Sequence, residues 1–389
     1  MPSHILTDVA RDLWVERFSL RSGDLDQHAT HPWSVTKRVL RGGRRDGVDL
    51  IEVDNGALSF SIVPTRGMGL WKGQYQGDRF GWDSPVHDGP VHPAFVNLMN
   101  WGGLGWLEGF DEVLARCGLE NNGGPYQEGP ATFGLHGKIA NLPASFVAVH
   151  VADDGTGEIA VEGQVEESKL FSPQIRMTTR ISTTPGSNRI VVRDEFLNRK
   201  DAPGEMQILY HWNFGPPYLE AGARFVAPVK AAMPRNARAR AGLDHYETFA
   251  APEPGFAEQV YFLDLHADPK DGRALVMLRN RAGDKAVVLR FTKAQVPAFT
   301  LWKCTGGARE GYVTGLEPGT NYPNPKPFEK ARGRVVTLAA NGRYLVETVL
   351  ELLKGREAVA AVEAEVQALQ GQGVPTIHPH PGEPFTEAT

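Results

Sequence analysis

Apolar and polar residues alternate with period two through most of the chain. Leu58, Phe60 and Ile62 fall on one face and Ser59 and Ser61 on the other, which predicts a half-buried strand. A similar run covers 50–53. The Asn55-Gly56 dipeptide between the two predicts a tight hairpin. Another strand is predicted at 35–40. Runs at 146–151, 158–165, 174–181 and 189–196 follow one another across Asp154-Gly155 and Pro185-Gly186, as in a meander. Further runs occupy 205–213, 258–265, 273–280, 285–292 and 298–304. Asn341-Gly342 predicts another hairpin, leading into 343–353.

Helical spacing appears only at the ends. Ile5, Leu6, Val9 and Leu13 predict a leading helix over 5–16; Val359, Val362, Val366 and Leu369 predict one after 355. The tail beyond Gly371 carries Pro375, Pro379, Pro381 and Pro384 and is expected to be loosely held. Residues 64–135 fit neither period and are rich in Gly, Pro, Asn and Trp. Trp71, Trp82, Trp101 and Trp106 in that stretch argue against disorder. We expect loops folded over one face of a sheet.

Many short strands without alternating helices predict an all-β fold, a large antiparallel sandwich with short terminal helices. With no linker and no internal repeat, one domain is expected over 1–389. It comprises an N-terminal helix and lead-in (1–34), the sandwich (35–353), and a C-terminal helix with its Pro-rich tail (354–389).

Composition narrows the function. The net charge of −5 over 389 residues leaves no basic field for nucleic acid. Two cysteines, Cys117 and Cys304, cannot build a disulfide framework or a CxxC metal site. Asp8, Asp12 and Glu16 break up the apolar residues of the first twenty, unlike a signal peptide. No stretch of about 18 uncharged apolar residues predicts a membrane span. A cytoplasmic protein, monomer or homodimer, without nucleic-acid or membrane partners, is the expectation.

Several residues are placed for chemistry. Glu317 is the only ionisable residue of Thr314-Gly-Leu-Glu-Pro-Gly-Thr-Asn-Tyr-Pro-Asn-Pro325, and Gly315, Pro318 and Gly319 restrict the backbone around it. A carboxylate held this way can act as a general base; the alternative is a turn whose Glu faces water. His136 lies among small residues in Phe133-Gly-Leu-His-Gly-Lys138, as a site residue or a packed loop histidine. A strand over 209–215 puts Tyr210, Trp212 and Phe214 on one face and Leu209, His211 and Asn213 on the other. His211 and Asn213 then project together, and a histidine exchanges protons near neutral pH; a satisfied core histidine is the alternative. Arg66, among the glycines of Thr65-Arg-Gly-Met-Gly69, is open to a ligand or engaged in a structural ion pair. In Leu301-Trp-Lys-Cys304, Trp302 and Cys304 share one face and Lys303 takes the other. Trp302 either stacks on a sugar ring or fills a core, and both Trp302 and Lys303 are candidate substrate contacts.

Other signals fail. Trp101-Gly-Gly-Leu-Gly lacks the Lys-Ser/Thr of a phosphate loop. His87 and His92 with Asp83 and Asp88 match no standard metal spacing, and Gly-x-Ser-x-Gly is absent.

A His-Gly after a long loop region, then a strand with His-Trp-Asn, then a late Leu-Glu-Pro resembles the galactose mutarotase-like (aldose 1-epimerase) superfamily. Pro64-Thr-Arg-Gly-Met68, Cys117-Gly-Leu-Glu-Asn-Asn-Gly-Gly124 and Gly134-Leu-His-Gly-Lys-Ile-Ala-Asn-Leu-Pro-Ala144 resemble a bacterial branch of it. The resemblance runs over 35–353. It implies a β-supersandwich with a sugar site in a cleft on one sheet. It also implies His211 as general acid, Glu317 as general base and His136 as a second histidine gripping the sugar. Arg66 and Asp244 match the superfamily's substrate-binding arginine and aspartate, and no metal or redox cofactor is implied. The run Trp212-Asn-Phe-Gly215 departs from the mutarotase pattern, which bears on the substrate rather than the fold. Anomer interconversion by ring opening is the expected reaction. Isomerisation, epimerisation or elimination on a keto sugar by the same pair is an alternative, as is sugar binding without catalysis. If the reading holds, His136, His211 and Glu317 converge in one cleft, roofed by 64–135.

Overall fold

The computed structural model describes residues 3–25, 31–171 and 173–387. Its strands form two large sheets, of ten and fourteen strands, that are antiparallel apart from one short pairing, and one small two-stranded sheet. The sheets pack face to face. Val161, Met177, Val192 and Leu350 of the first meet Phe60, Ile208, Tyr210 and Trp212 of the second in one continuous core. Strands with one apolar and one polar face have few other ways to bury the apolar side.

The predicted meander forms. Phe146–Val151, Ile159–Ser168, Gln174–Thr183 and Arg189–Asn198 pair in sequence order. One inward position of the last strand is charged. Asp194 is fully buried and receives Arg116 Nε at 2.6 Å, Arg116 Nη2 at 2.9 Å and the Tyr210 hydroxyl at 2.8 Å. Arg116 comes from the opposite sheet, so this pair ties the two together. The hairpin at Asn55-Gly56 also forms, between Asp49–Asp54 and Leu58–Val63. The C-terminal helix, Arg356–Gln370, lays Val359, Val362 and Val366 on Leu275, Met277 and Val288 of the ten-stranded sheet.

Four expectations change. The leading helix over 5–16 does not form. Ser3–Asp8 is a strand paired with Phe146–Val151, followed by a single 3-10 turn at Val9–Arg11. Pairing with that strand on one side and with Leu13–Trp14 on the other satisfies its backbone, and Leu6 is buried while Val9 stays exposed, so tertiary pairing outweighs the local spacing. Residues 64–135 are not all loop. Gly69–Tyr75 and Leu114–Leu119 are interior strands of the fourteen-stranded sheet, and the second is buried along its whole length. A strand covered on both faces loses the alternation that would reveal it. Asn341-Gly342 is a turn but not a hairpin: Val336–Leu338 pairs with Gly204–Met206 of one sheet, and Arg343–Lys354 with strands of the other. The tail is pinned. Thr376–Ile377 pairs with Ala231–Ala232, Phe385 is buried against Tyr322, and Asn324 Nδ2 donates to the Phe385 carbonyl at 2.7 Å.

Candidate active site

Four adjacent strands of the fourteen-stranded sheet carry the site: Leu114–Leu119, Gly204–Phe214, Tyr312–Gly319 and Ala298–Thr305. Alternation on the second behaves as expected. Tyr210, Trp212 and Phe214 enter the inter-sheet core, while Leu209 joins Ala115, Cys117 and Val313 in a separate cluster on the other face. His211 and Asn213 project from that same face. The register pairs Leu209 with Gly319 and Trp212 with Leu316, which sets His211 directly across from Glu317. On its other side His211 pairs with Ala115.

His211 Nε2 lies 3.3 Å from Glu317 Oε1. The two are close but not aligned as a direct hydrogen bond. Gly315, two residues before Glu317, makes room for this. A Cβ there would collide with Glu317 Oε1 and come within 3.1 Å of His211 Cε1. The His136 ring centroid lies 5.5 Å from that of His211. His136 has a left-handed backbone, φ 59°, uncommon for a residue with a side chain and often found at functional sites. Gly137 follows at φ 68°, where a Cβ would strike the Gly118 and Asn121 carbonyls. Long irregular loops thus bring the second histidine over the sheet.

Aromatic rings enclose these groups. Trp106 stands 4.8 Å from His136, Phe110 5.1 Å from His211 and Trp302 5.3 Å from His211. Trp106 and Phe110 come from the 64–135 segment, so that segment packs over His211 as expected. At the rim, Trp302 Nε1 donates to Glu258 Oε2 at 2.7 Å, and Arg235 Nη2 donates to Glu258 Oε1 at 2.6 Å.

Hydrogen bonds set the tautomers. His136 Nδ1 lies 2.8 Å from the Asn122 carbonyl, an acceptor only, so Nδ1 carries the proton. Asn122 is held by reciprocal amide bonds with Asn321, four residues after Glu317. His211 Nδ1 lies 2.6 Å from Asn213 Oδ1. Burial pushes the His211 imidazolium well down, assisted by His136, and pushes the Glu317 carboxyl well up, assisted by Glu258. Burial takes His136 down to about 4. In an apolar enclosure the charged forms lose their hydration without gaining an equal partner.

The remaining predicted residues lie elsewhere. Arg66 sits behind the site, almost wholly buried in an ion pair with Glu112, and also donates to Asn141 Oδ1 at 2.8 Å and the Val91 carbonyl at 3.1 Å. The Glu112 carbonyl in turn accepts from Asn213 Nδ2 at 3.0 Å, so Arg66 supports the site through the backbone. Lys303 takes the opposite face from Trp302, donating to the His245 and Thr248 carbonyls at 3.1 and 2.8 Å. Asp244 is exposed, and its neighbours Leu243 and Tyr246 pack into the inter-sheet core, on the far side of the sheet from His211. Neither residue is brought to the pair. Sequence reasoning missed Trp106 and Phe110 individually, although they fall within the predicted roof. Glu258, Arg235 and Asn122 gave no local signal. Among the described residues no group of three or more His, Cys, Asp or Glu side chains is arranged to hold a metal ion, and no helix is long and apolar enough to cross a membrane.

Facing antiparallel sheets with a histidine- and glutamate-lined site on one of them define a galactose mutarotase-like fold. Solved structures agree. A "putative aldose 1-epimerase" from Klebsiella pneumoniae subsp. pneumoniae shares 37% identity at TM-score 0.95, over 98% of this chain and 99% of that one. A galactose mutarotase-like protein from Clostridium acetobutylicum matches at TM-score 0.56 and 15% identity, over 82% and 98% of the two chains. A galactose mutarotase related enzyme from Lactobacillus acidophilus matches at TM-score 0.53 and 12% identity, over 79% and 99%. The chain belongs to the family described as a domain of unknown function, DUF4432, whose model matches residues 45–352. Among curated proteins none matches significantly.

Proposed function

We propose that this protein is an aldose 1-epimerase-like isomerase that interconverts the anomers of a sugar by acid/base ring opening. One observation carries the reading: an imidazole nitrogen and a carboxyl oxygen, both buried, stand 3.3 Å apart on neighbouring strands. Anomerisation exchanges protons at two oxygens bonded to a single carbon, the anomeric hydroxyl and the ring oxygen. An acid and a base this close suit two oxygens that close. One group takes a proton, the other gives one, and the ring opens. Rotation about C1–C2 and closure on the other face invert the anomer. Each proton transfer contributes about 10²–10⁴-fold. His136 Nε2 is left free by the bond at Nδ1 and is placed to accept from a sugar hydroxyl. Trp302 offers an apolar face to the sugar's C–H surface. The free cysteines Cys117 and Cys304 suit a reducing, cytoplasmic setting.

The relationship to the Klebsiella protein supports the same class of reaction. The test is NMR exchange spectroscopy across a panel of aldoses, with keto sugars screened for new products. Accelerated anomer exchange without a new product supports the reading. A new keto-sugar product would replace it with an isomerase or lyase, and binding without either reaction would replace it with a sugar-binding protein.

A further inference from the structure

His211 and Glu317 stand on paired strands, but His136 comes from a loop and must be registered against them. The turn that follows Leu114–Leu119 holds it. His136 Nδ1 donates to the Asn122 carbonyl at 2.8 Å, and its backbone N–H donates to the Gly123 carbonyl at 2.9 Å. Its own carbonyl accepts from the Gly118 N–H at 2.9 Å. The imidazole therefore goes where that turn goes.

The two asparagines of the turn have different tasks. Asn121 folds it on itself: Oδ1 accepts from the Gly123 N–H at 3.2 Å, and Nδ2 donates to the Gly134 carbonyl at 2.9 Å, two residues before His136. Asn122 reaches outward to Asn321. Asn321 Nδ2 also donates to the Tyr322 carbonyl at 2.7 Å. That oxygen only accepts, so the Asn321 amide has one orientation, and Asn122 must match it. Asn122 Nδ2 then donates to Asn321 Oδ1 at 3.3 Å, and Asn321 Nδ2 donates to Asn122 Oδ1 at 3.0 Å. Both side chains are fully buried.

Asn321 belongs to the frame of the reacting pair. The Thr320 N–H donates to the Ile208 carbonyl at 2.9 Å, and Thr320 Oγ1 accepts from the Ile208 N–H at 3.0 Å. Thr320 lies three residues after Glu317 and Ile208 three before His211. The Thr320 hydroxyl donates onward to Asn321 Oδ1 at 3.0 Å. Asn321 thus has both hydrogens and both lone pairs engaged and offers nothing to a sugar. Behind it Tyr322 packs on Phe385 of the tail, ring centroids 5.3 Å apart.

We propose that Asn122 and Asn321 are positioning residues: their reciprocal amide pair ties the loop of His136 to the strands of His211 and Glu317, and so aims His136 Nε2 at the sugar. The proposal rests on the proposed reaction, in which His136 grips a sugar hydroxyl. It gives the Cys117–Gly124 motif, which supplies no reacting group, a part in the site. With the pair intact, Nδ1 keeps its hydrogen on the Asn122 carbonyl and Nε2 stays a lone pair. With the pair broken, the carbonyl shifts, the ring turns, and the hydrogen is shared between the two nitrogens.

The test uses Asn122→Leu/Asn321→Leu. Replacing both partners by apolar groups of similar size leaves no orphaned amide, so the variant is expected to fold. Asn321→Ser, with room for a bridging water, is the second variant, judged by the same readouts. ¹⁵N NMR of labelled histidine in the sugar-free protein at pH 7, assigned with His136→Gln, reports the tautomer. Wild-type His136 is expected to be neutral with its hydrogen on Nδ1, and the variant to show a mixture of tautomers. The KM for anomer exchange should rise about fivefold, the worth of one hydrogen bond, with kcat changing little, because the grip on a hydroxyl acts in ground and transition states alike. A purely structural pair would lower the melting temperature and leave both the His136 spectrum and KM unmoved, which overturns the proposal. Absent anomer exchange in the wild type overturns the proposed function instead, and the His136 spectrum alone then decides whether the asparagine pair positions the ring.

Discussion

His211 and Glu317 are direct cross-strand neighbours, 106 positions apart in the chain, with Nε2 3.3 Å from Oε1. Cross-strand neighbours on one face lie close whatever their side chains, so the sheet register alone delivers the pair. Each residue is needed for one proton transfer. Glu317→Gln and His211→Asn are expected to lower kcat by about 10²–10⁴-fold, with sugar binding by calorimetry changing far less, because the lost interaction belongs to the transition state. Full turnover in Glu317→Gln would remove the residue on which the chemistry depends.

Gly315 gives a second test that leaves both reacting groups in place. Its Cα faces the gap between them, and a Cβ would collide with Glu317 Oε1 and crowd His211 Cε1. Gly315→Ala should displace the carboxyl and cost activity by at least about tenfold, since small misplacements at a reacting centre are expensive. Sugar affinity should fall less than the rate. Wild-type kcat in this variant would show that the pair does not need its observed separation.

The strand carrying His211 was legible because its period of two is intact: Tyr210, Trp212 and Phe214 alternate with His211 and Asn213 and go where alternation sends them. Lys303 likewise lies on the face opposite Trp302, as its position in the strand required. Register was not legible. Nothing local states that Glu317 sits opposite His211, or that irregular loops carry His136 above both. Arg66 shows a further limit. Glycines beside an arginine are compatible with an open ligand site, but its partner Glu112 lies 46 residues away, and only the fold brings in the ion pair. Leu114–Leu119 was hidden for the opposite reason: burial on both faces erases the pattern that marks a strand.

Asp111 offers a pH test away from the reacting pair. Burial pushes its carboxyl up from 3.8 to about 7, against the Trp71 indole, which donates to it at 2.6 Å. Between those two values the native state keeps a proton that the unfolded chain has released. Rising pH therefore favours unfolding across that window, and the full cost is present above about 7. Asp111→Asn cannot ionise and escapes this cost. Its melting temperature relative to wild type should rise from pH 4 to pH 8, the pH-dependent part amounting to as much as about 4 kcal/mol. An unchanged difference between the two pH values would mean that the native carboxyl ionises normally.

Breaking the buried tie between the sheets should show in stability rather than chemistry. Asp194 accepts from Arg116 and Tyr210 with no exposure to water. Asp194→Ala leaves a guanidinium buried without its partner, which costs about 3–5 kcal/mol. Chemical denaturation should detect a loss of that size. A loss well under about 1 kcal/mol would mean that the guanidinium finds water or another acceptor.

The rim makes a claim about binding. Trp302 is the proposed platform for the sugar, and its indole N–H is fixed by Glu258, which Arg235 holds in turn. Removing that bond lets the ring sample other rotamers, and ordering it again must come out of the binding energy. One hydrogen bond of about 1 kcal/mol corresponds to roughly a fivefold change in affinity. Glu258→Ala should therefore raise KM by about that factor and change kcat little. Trp302→Phe keeps a ring but has no N–H to give, so it should produce a similar loss. If Glu258 acts through the indole, the second substitution has nothing left to remove. The double variant Glu258→Ala/Trp302→Phe should then bind no more weakly than the worse single variant, which a double-mutant cycle measures as coupling. Strict additivity would mean that Glu258 touches the sugar or its field directly, and would separate the platform from the carboxylate that accepts its N–H.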